Sequence, residues 1–217
     1  MVIYASSPYQ IYVVCYAMYI ILDGCEPPGV TAPILIFGWG NPSRGDDALG
    51  PLCVAALADL LPQEWQNQIE FLEDYQLQVE HALDMVGRQQ VLFIDASLTA
   101  TAPFEVTQLQ AAPETCVTTH AMSPQALMQV YHHLNGQTPP SCTLLAIRGE
   151  TFELGQPLGV KAQAHLKAAL QFAWRWALDA PATPHHFKLH PVQAGAFQND
   201  VVQYKNQIPP TPPMALP

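Results

Sequence analysis

The sequence is poor in positively charged residues. Of its 217 residues only 8 are Lys or Arg, against 18 Asp or Glu, which gives a formal net charge of -10. No cluster of basic residues provides a surface along which a phosphate backbone could bind, so we expect no nucleic-acid partner. The negative charge would also repel tRNA.

The sequence also has no Cys-x-x-Cys pair. The cysteines are Cys15, Cys25, Cys53, Cys116 and Cys142. An odd number without paired spacing predicts neither a disulfide framework nor a zinc knuckle, and it favours the reducing cytoplasm. Cys116, four residues before His120, gives the nearest approach to a Cys–His pair, but nothing around it indicates an activated thiolate.

Two common functional motifs are missing. The sequence contains no G-x-S-x-G nucleophile elbow. The segment GWGN resembles the start of a dinucleotide-binding fingerprint, but the residue three positions beyond Gly40 is Ser43 instead of glycine. Two acidic residues then follow where a pyrophosphate would have to bind, which disfavours a nucleotide ligand.

No apolar run is long enough to cross a membrane. The N-terminal run YQIYVVCYAMYIIL has about 14 residues where a transmembrane helix needs about 20. No Lys or Arg precedes it and no A-x-A site follows, so a secretory signal is not expected. We interpret residues 1–31 as an extension, either an added strand or helix or the product of an early start codon. Residues 181–217, rich in Pro, Gln and His, are typical of a disordered tail.

Strand-like and helical segments alternate between these ends. The predicted strands are ILIFG, QIEFLED, QVLFIDA, FEVTQLQ and CTLLAIRG, and the predicted helices are ALGPLCVAALADLL, VEHALDMVG, SPQALMQVYHHLNG and GVKAQAHLKAALQFAWRWALD. Gly87 should end the second helix, and Ser123, Pro124 and Gly136 should cap the third. This alternation predicts one α/β domain over residues 32–180, a three-layer sandwich with helices on both sides of a mostly parallel sheet.

Polar residues follow the predicted strands at their carboxyl ends, where such sheets bind ligands. Asn41, Asp46 and Asp47 follow the first strand, Asp95 ends the third, and His120 precedes a helix. Two carboxylates and an imidazole suit a borderline divalent metal such as nickel, zinc or iron. The alternative is structural: Asp46 as a helix N-cap, Asp95 as a loop acceptor and His120 as an ordinary polar residue.

The segment ILIFGWGNPSRGDDALG resembles the opening signature of the maturation endopeptidases of nickel-iron hydrogenases. That signature is a strand, G-x-G-N, a few variable residues, an acidic pair and a helix. The segments FIDAS, TTHAMSPQALM and ELGQPLGVKAQAHLKAAL follow in the family's order, and the resemblance covers roughly Pro33 to Leu178. It implies a cytoplasmic, monomeric enzyme that removes the C-terminal extension of a hydrogenase large-subunit precursor after nickel insertion.

The resemblance also implies the site residues. The family's nickel-contacting and catalytic positions fall on Asp47, Asp95 and His120, and the nickel is carried by the substrate. The family often has glutamate followed by glycine where this chain has Asp47 and Ala48. The remaining positions predicted to bind substrate are Gly38, Gly40, Asn41, Asp46 and Gln76.

The segment EDYQLQVEHALDM resembles the subgroup that serves NAD-linked bidirectional hydrogenases. A loop there would touch the substrate, or else Tyr75 and Leu77 merely pack beneath the site. Two other functions stay open. A peptidyl-tRNA hydrolase shares G-x-G-N-P but continues toward a catalytic histidine where this chain has GDDALG, and a non-enzymatic docking module could bind nickel with the same three residues.

Overall fold

The computed structural model describes residues 31–111 and 122–179, which form a five-stranded sheet with helices on both faces. The strands are β1 (Ile34–Trp39), β2 (Ile69–Asp74), β3 (Gln90–Ser97), β4 (Phe104–Gln108) and β5 (Ser141–Arg148), and the helices are α1 (Leu49–Leu60), α2 (Pro124–Asn135) and α3 (Val160–Leu178). The order across the sheet is β2-β1-β3-β5-β4. All neighbouring strands are parallel except β4, which is antiparallel to β5. The predicted fold class is confirmed.

Strand β1 is buried along its whole length because both faces of the sheet are covered. Its side chains alternate between two apolar cores. Ile34 and Ile36 pack in the core formed with α1 and α3, and Leu35 and Phe37 pack in the core formed with α2. The continuous apolar run ILIF therefore reflects a strand in the middle of three layers.

Helix α2 has the predicted ends. The Ser123 side chain accepts a hydrogen bond from the Ala126 N–H at 3.2 Å, and Pro124 occupies the first turn, where its missing N–H costs nothing. Gly136 ends the helix with φ of 64°, in the left-handed region that favours glycine. Local sequence was sufficient here because each cap depends on neighbouring residues only.

The segment VEHALDMVG does not form the predicted helix. It forms a 3₁₀ turn at Val79–Ala82, followed by further turns up to Gly87. The buried His81 side chain accepts a hydrogen bond from the Gln78 N–H at 2.9 Å, which fixes the first turn in this form. Ala82 and Met85 are nevertheless buried in the core formed with α2. The spacing of apolar residues in this segment therefore indicated which side chains are buried, but not a regular helix.

Strand β4 is more exposed to solvent than predicted, since an alternating strand should have one buried face. Its residues after Phe104 are all exposed, because β4 is the edge of the sheet. Phe104 packs against Phe172 of α3, with ring centroids 5.4 Å apart.

The predicted N-terminal extension before Thr31 and the predicted tail after residue 180 lie outside the described residues. Among the helices that are described, none combines the length and apolar content needed to span a bilayer.

Candidate active site

Asp47 and Asp95 lie at the same edge of the sheet, where the parallel strands end. Asp47 is on the 3₁₀ turn Gly45–Ala48 that joins β1 to α1, and Asp95 is near the end of β3, the neighbour of β1. The turn contacts β3, and the pKa of Asp95 is raised by burial and, to a lesser extent, by the negative charge of Asp47. The fold therefore brings together two of the three predicted metal-contacting residues. The third, His120, lies outside the described residues.

The pKa of Asp95 is raised to about 7. Burial of the carboxyl group is the largest cause, and the charge of Asp47 adds to it. Hydrogen bonds from the Ala96 N–H, at 2.8 Å, and from the Trp39 side chain act in the opposite direction but are outweighed. At neutral pH Asp95 is therefore protonated in a substantial fraction of the molecules. A divalent cation beside both carboxylates would favour loss of this proton.

The glycine and asparagine of the G-x-G-N segment position Asp47. The Asn41 N–H donates to Asp47 Oδ2 at 3.0 Å. Gly40 has φ of 143°, and a Cβ at this position would lie 1.9 Å from the Asp47 carbonyl oxygen. Only glycine allows the chain after β1 to turn so closely against the acidic turn. Gly40 and Asn41 therefore help to position Asp47, and binding of substrate by these two residues stays a prediction.

Asp46 is buried and its carboxylate binds the backbone of the segment between β5 and α3. Oδ2 accepts hydrogen bonds from the N–H groups of Glu150 at 2.7 Å and Thr151 at 3.0 Å, and Oδ1 accepts one from the Gly159 N–H at 2.8 Å. The interpretation of Asp46 as the N-cap of its own helix is wrong, since its side chain caps neither the 3₁₀ turn nor α1. It holds the loop before α3 instead.

These hydrogen bonds determine the charge state of Asp46. Burial acts to raise the pKa of this carboxyl group, but the backbone N–H groups of Glu150, Gly159 and Thr151 together outweigh it, so the pKa is lowered. Asp46 is therefore ionised at neutral pH. The adjacent acids thus differ in their partners: Asp46 accepts three backbone N–H groups from the segment before α3, and Asp47 accepts the Asn41 N–H.

No group of three His, Cys, Asp or Glu side chains in residues 31–111 and 122–179 is arranged to bind a metal ion. A metal-binding role for Asp47 and Asp95 therefore stays a prediction.

Comparison with known proteins identifies the fold. No protein-family model and no curated protein matches the chain. The solved structures that match include the hydrogenase-maturating endopeptidase HybD from E. coli, with a TM-score of 0.55 and 24% identity over 67% of this chain and 91% of that one. An endopeptidase from Escherichia coli matches with a TM-score of 0.50 and 26% identity over 67% and 91%. The [NiFe] hydrogenase maturation protease HycI from Thermococcus kodakarensis KOD1 matches with a TM-score of 0.51 and 20% identity over 69% and 92%.

The chain has the fold of the hydrogenase maturation endopeptidases. The matched proteins are peptidases by their names, and all three align over roughly nine-tenths of their own length. The matches do not distinguish among subgroups of this fold. Assignment to NAD-linked hydrogenases therefore stays a prediction.

In this maturation-endopeptidase fold, Gly38 lies within β1, at the point where the strand packs against α1. A Cβ on Gly38 would lie 2.6 Å from the Gly50 carbonyl oxygen of α1 and 2.7 Å from Val54 Cγ2. Gly50 is equally constrained, because a Cβ there would lie 2.4 Å from the Trp39 carbonyl oxygen. The absence of a side chain at Gly38 thus lets α1 pack closely against β1, next to the acidic turn. Binding of substrate by Gly38 stays a prediction.

A buried imidazole beside β2 escaped the sequence analysis. His81 Nε2 lies 3.3 Å from Asp74 Oδ2, while His81 Nδ1 accepts the Gln78 N–H. Because Nδ1 is an acceptor, the neutral ring carries its proton on Nε2, the atom that faces the Asp74 carboxylate. Asp74 ends β2, and an acid at the carboxyl end of a parallel strand is the signal that could have marked it.

The pair Asp74–His81 brackets the loop that was predicted to touch substrate. Tyr75 is 67% exposed, Gln76 is also exposed, and Leu77 is buried. Leu77 packs in the core formed with α2, whereas the exposure of Tyr75 contradicts the alternative that this side chain is packed. Tyr75 and Gln76 are accessible to a partner at the site edge.

Proposed function

We propose that this chain is an endopeptidase that removes the C-terminal extension from the precursor of a nickel-iron hydrogenase large subunit once nickel is in place. The observation that carries the proposal is the pairing of Asp47 with Asp95 at the ligand-binding edge of a hydrogenase maturation endopeptidase fold. Neither a peptidyl-tRNA hydrolase nor a docking module is favoured by the matched structures.

The nickel belongs to the substrate in this proposal. Asp47 and Asp95, together with His120, would contact the ion while the precursor supplies its other ligands. The ion would relieve the repulsion that helps to raise the pKa of Asp95. A precursor without nickel would leave that repulsion in place, so the acidic pair distinguishes a loaded from an empty precursor.

In this proposal, holding the nickel in one position promotes cleavage of the precursor. With the nickel held by the acidic pair, the neighbouring peptide bond is placed in one orientation, which lowers the entropic part of the barrier. The bound ion would polarise the scissile carbonyl or activate a water for attack. No side-chain nucleophile is assigned.

We propose further that the precursor is that of a cytoplasmic, NAD-linked bidirectional hydrogenase. The support is the segment EDYQLQVEHALDM and the exposure of Tyr75 and Gln76 beside the site. Replacing residues 75–77 with the corresponding loop of another maturation protease should change which precursor is cut. An unchanged preference would remove this assignment.

The main test compares nickel-loaded and nickel-free large-subunit precursors by intact mass, before and after incubation with the purified chain. The wild type should release a C-terminal peptide from the loaded precursor only. Asp47→Asn should cut at least about 100-fold more slowly, because one of the two carboxylate contacts to the metal is lost. Glu64→Gln is the matched control, since it removes one exposed charge from the segment between α1 and β2, at the opposite edge of the sheet.

Three results would contradict parts of the proposal. Equal cleavage of nickel-free and nickel-loaded precursor would contradict the recognition of nickel. Full activity of Asp47→Asn would contradict the role assigned to the acidic pair. Nickel-dependent binding with no change in mass would identify a docking module instead of an endopeptidase.

A further inference from the structure

The exposed large apolar side chains are concentrated at the edge that carries Asp47 and Asp95. In the described part of the chain they are Tyr75, Val86, Leu98, Val106, Leu154 and Val160. Four of them, Tyr75, Leu98, Leu154 and Val160, are between 56% and 84% exposed, while the other two are 43% exposed. Single exposed apolar residues are ordinary, but the four most exposed ones share one edge of the molecule.

The chain connectivity places these four residues. Tyr75 directly follows β2 and Leu98 directly follows β3, and the strands are parallel, so both lie at the carboxyl edge. Leu154 and Val160 lie on the segment that leaves β5 and begins α3. By contrast, Val86 precedes β3 at the opposite edge and Val106 lies within β4.

The loop that carries Leu154 is held rigidly against the acidic turn. This loop, residues 149–159, donates three backbone N–H groups to the Asp46 carboxylate. The Gly155 N–H also donates to the Ser43 carbonyl at 2.7 Å. The backbone at Leu154, adjacent to Gly155, is therefore tied to the acidic turn. A loop whose backbone is already ordered loses less entropy when a partner binds.

Leu98 is linked to the same unit. The Gly149 N–H donates to the Ser97 carbonyl at 3.0 Å, which joins the start of the 149–159 loop to the residue before Leu98. The Ser97 hydroxyl accepts the Thr99 and Ala100 N–H groups and so fixes the turn that presents Leu98. Leu98 and Leu154 are thus ordered by hydrogen bonds to the chain segments around the acidic pair.

We propose that these four residues, here called the apolar rim, form a docking surface for the folded body of the hydrogenase precursor. This inference rests on the proposed function. The rim extends from β2 to β5, three strand spacings or roughly 14 Å, and the acidic pair lies between. A partner that presents a cation in an apolar surface fits this arrangement, because the acids bind the cation and the rim buries apolar area around it.

The test measures the affinity of nickel-loaded precursor for the full chain by biolayer interferometry. Leu98→Ser and Leu154→Ser should each raise Kd about tenfold, and the double variant should raise it further. KM for cleavage should rise in proportion while kcat is retained, since neither residue touches the reacting bond. Val86→Ser and Val106→Ser are matched controls outside this edge and should leave Kd within about twofold.

Each result has a distinct meaning. Cleavage by the wild type with Leu98→Ser and Leu154→Ser equal to the controls would overturn the docking surface and leave the proposed function intact. Loss of affinity at the rim with no cleavage by the wild type would support the surface and contradict the endopeptidase. If sedimentation finds a dimer that Leu154→Ser dissociates, while precursor affinity stays unchanged, the rim binds a second copy and the proposal is wrong.

Discussion

Asp46 and Asp47 are adjacent in sequence, but their carboxylates accept hydrogen bonds from different parts of the chain. Asp46 binds three N–H groups of the 149–159 loop, whereas Asp47 binds the N–H of Asn41, within its own loop. Hydrogen bonding lowers the pKa of Asp46, while burial and the charge of Asp47 raise the pKa of Asp95 to about 7. Asp46 therefore holds the 149–159 loop against the acidic turn, whereas the interaction between Asp47 and Asp95 disfavours a second negative charge at the site.

Asp46→Asn should destabilise the protein on the order of 2 to 3 kcal/mol at pH 7. An asparagine side chain has only one acceptor oxygen, so its NH₂ group must face either the Gly159 N–H or the N–H groups of Glu150 and Thr151. The hydrogen bonds on that side are lost, because two donors face each other. Because the folded pKa of Asp46 is lowered, its contribution is present above the unfolded pKa and is lost as the carboxyl group protonates. The difference from wild type should shrink below about pH 4. Urea unfolding at several pH values measures it.

The control for this variant is Glu153→Gln. Glu153 is an exposed acid on the same loop, so its loss should change stability by less than about 0.5 kcal/mol. Equal destabilisation by both variants would mean that net charge, and not the hydrogen bonds to Asp46, supports the loop.

Asp95→Asn should stabilise the metal-free protein, with the opposite pH dependence. The folded pKa of Asp95 is raised to about 7, so the folded state holds more protons than the unfolded state between about pH 4 and 7. Stability of the wild type falls as pH rises through this range, and the neutral amide avoids the loss. The gain should be on the order of 2 kcal/mol at pH 8 and should disappear toward pH 4. A gain of equal size at both pH values would contradict a titrating Asp95.

At the scale of elements, the contact between β1 and α1 positions the site. Gly38 in β1 and Gly50 in α1 each face backbone atoms that would overlap a Cβ. The absence of both side chains lets α1 start directly above the strand end, with the acidic turn between them. Backbone atoms cannot move aside as flexible side chains can, so these two positions require glycine.

Gly38→Ala should therefore cost on the order of 3 kcal/mol in the free energy of unfolding. The matched variant is Gly136→Ala. Gly136 has φ of 64°, and nothing lies within 4 Å of the position of a Cβ, so this change tests backbone strain without a clash and should cost about 1 kcal/mol. Thermal and urea denaturation of the two variants would compare them directly. A smaller effect at Gly38 than at Gly136 would contradict the close approach of β1 and α1.

At the scale of the whole molecule, stability comes from two cores on opposite faces of one sheet. One core contains α1 and α3, and the other contains α2 and the segment around Met85. Every buried apolar residue of the described chain lies between Ala32 and Ala177. The sheet links the cores, because successive residues of β1 belong to different ones.

A fragment of residues 32–180 should unfold cooperatively, with a midpoint within about 4 °C of the full chain. A fragment of residues 32–170 should not, because it lacks the buried side chains of Ala173, Trp174 and Ala177 in the last turns of α3. Calorimetry of both fragments tests this. A much lower midpoint for residues 32–180 would mean that the residues outside it contribute to the fold.

Sequence patterns were sufficient to predict the caps of α2, the placement of Asp47 and Asp95 at one edge, and the strand-helix alternation outside VEHALDMVG. These features depend on local patterning, or on the general rule that parallel strands end at one edge. The role of Asp46 depends on tertiary contacts, because its partners at Glu150, Thr151 and Gly159 are more than 100 residues away. The turn in VEHALDMVG has a local cause instead, the hydrogen bond from the Gln78 N–H to the buried His81 side chain, which the apolar spacing of the segment does not reveal. Contacts between distant segments leave no period or spacing in a single sequence, which is why patterning could not reveal them.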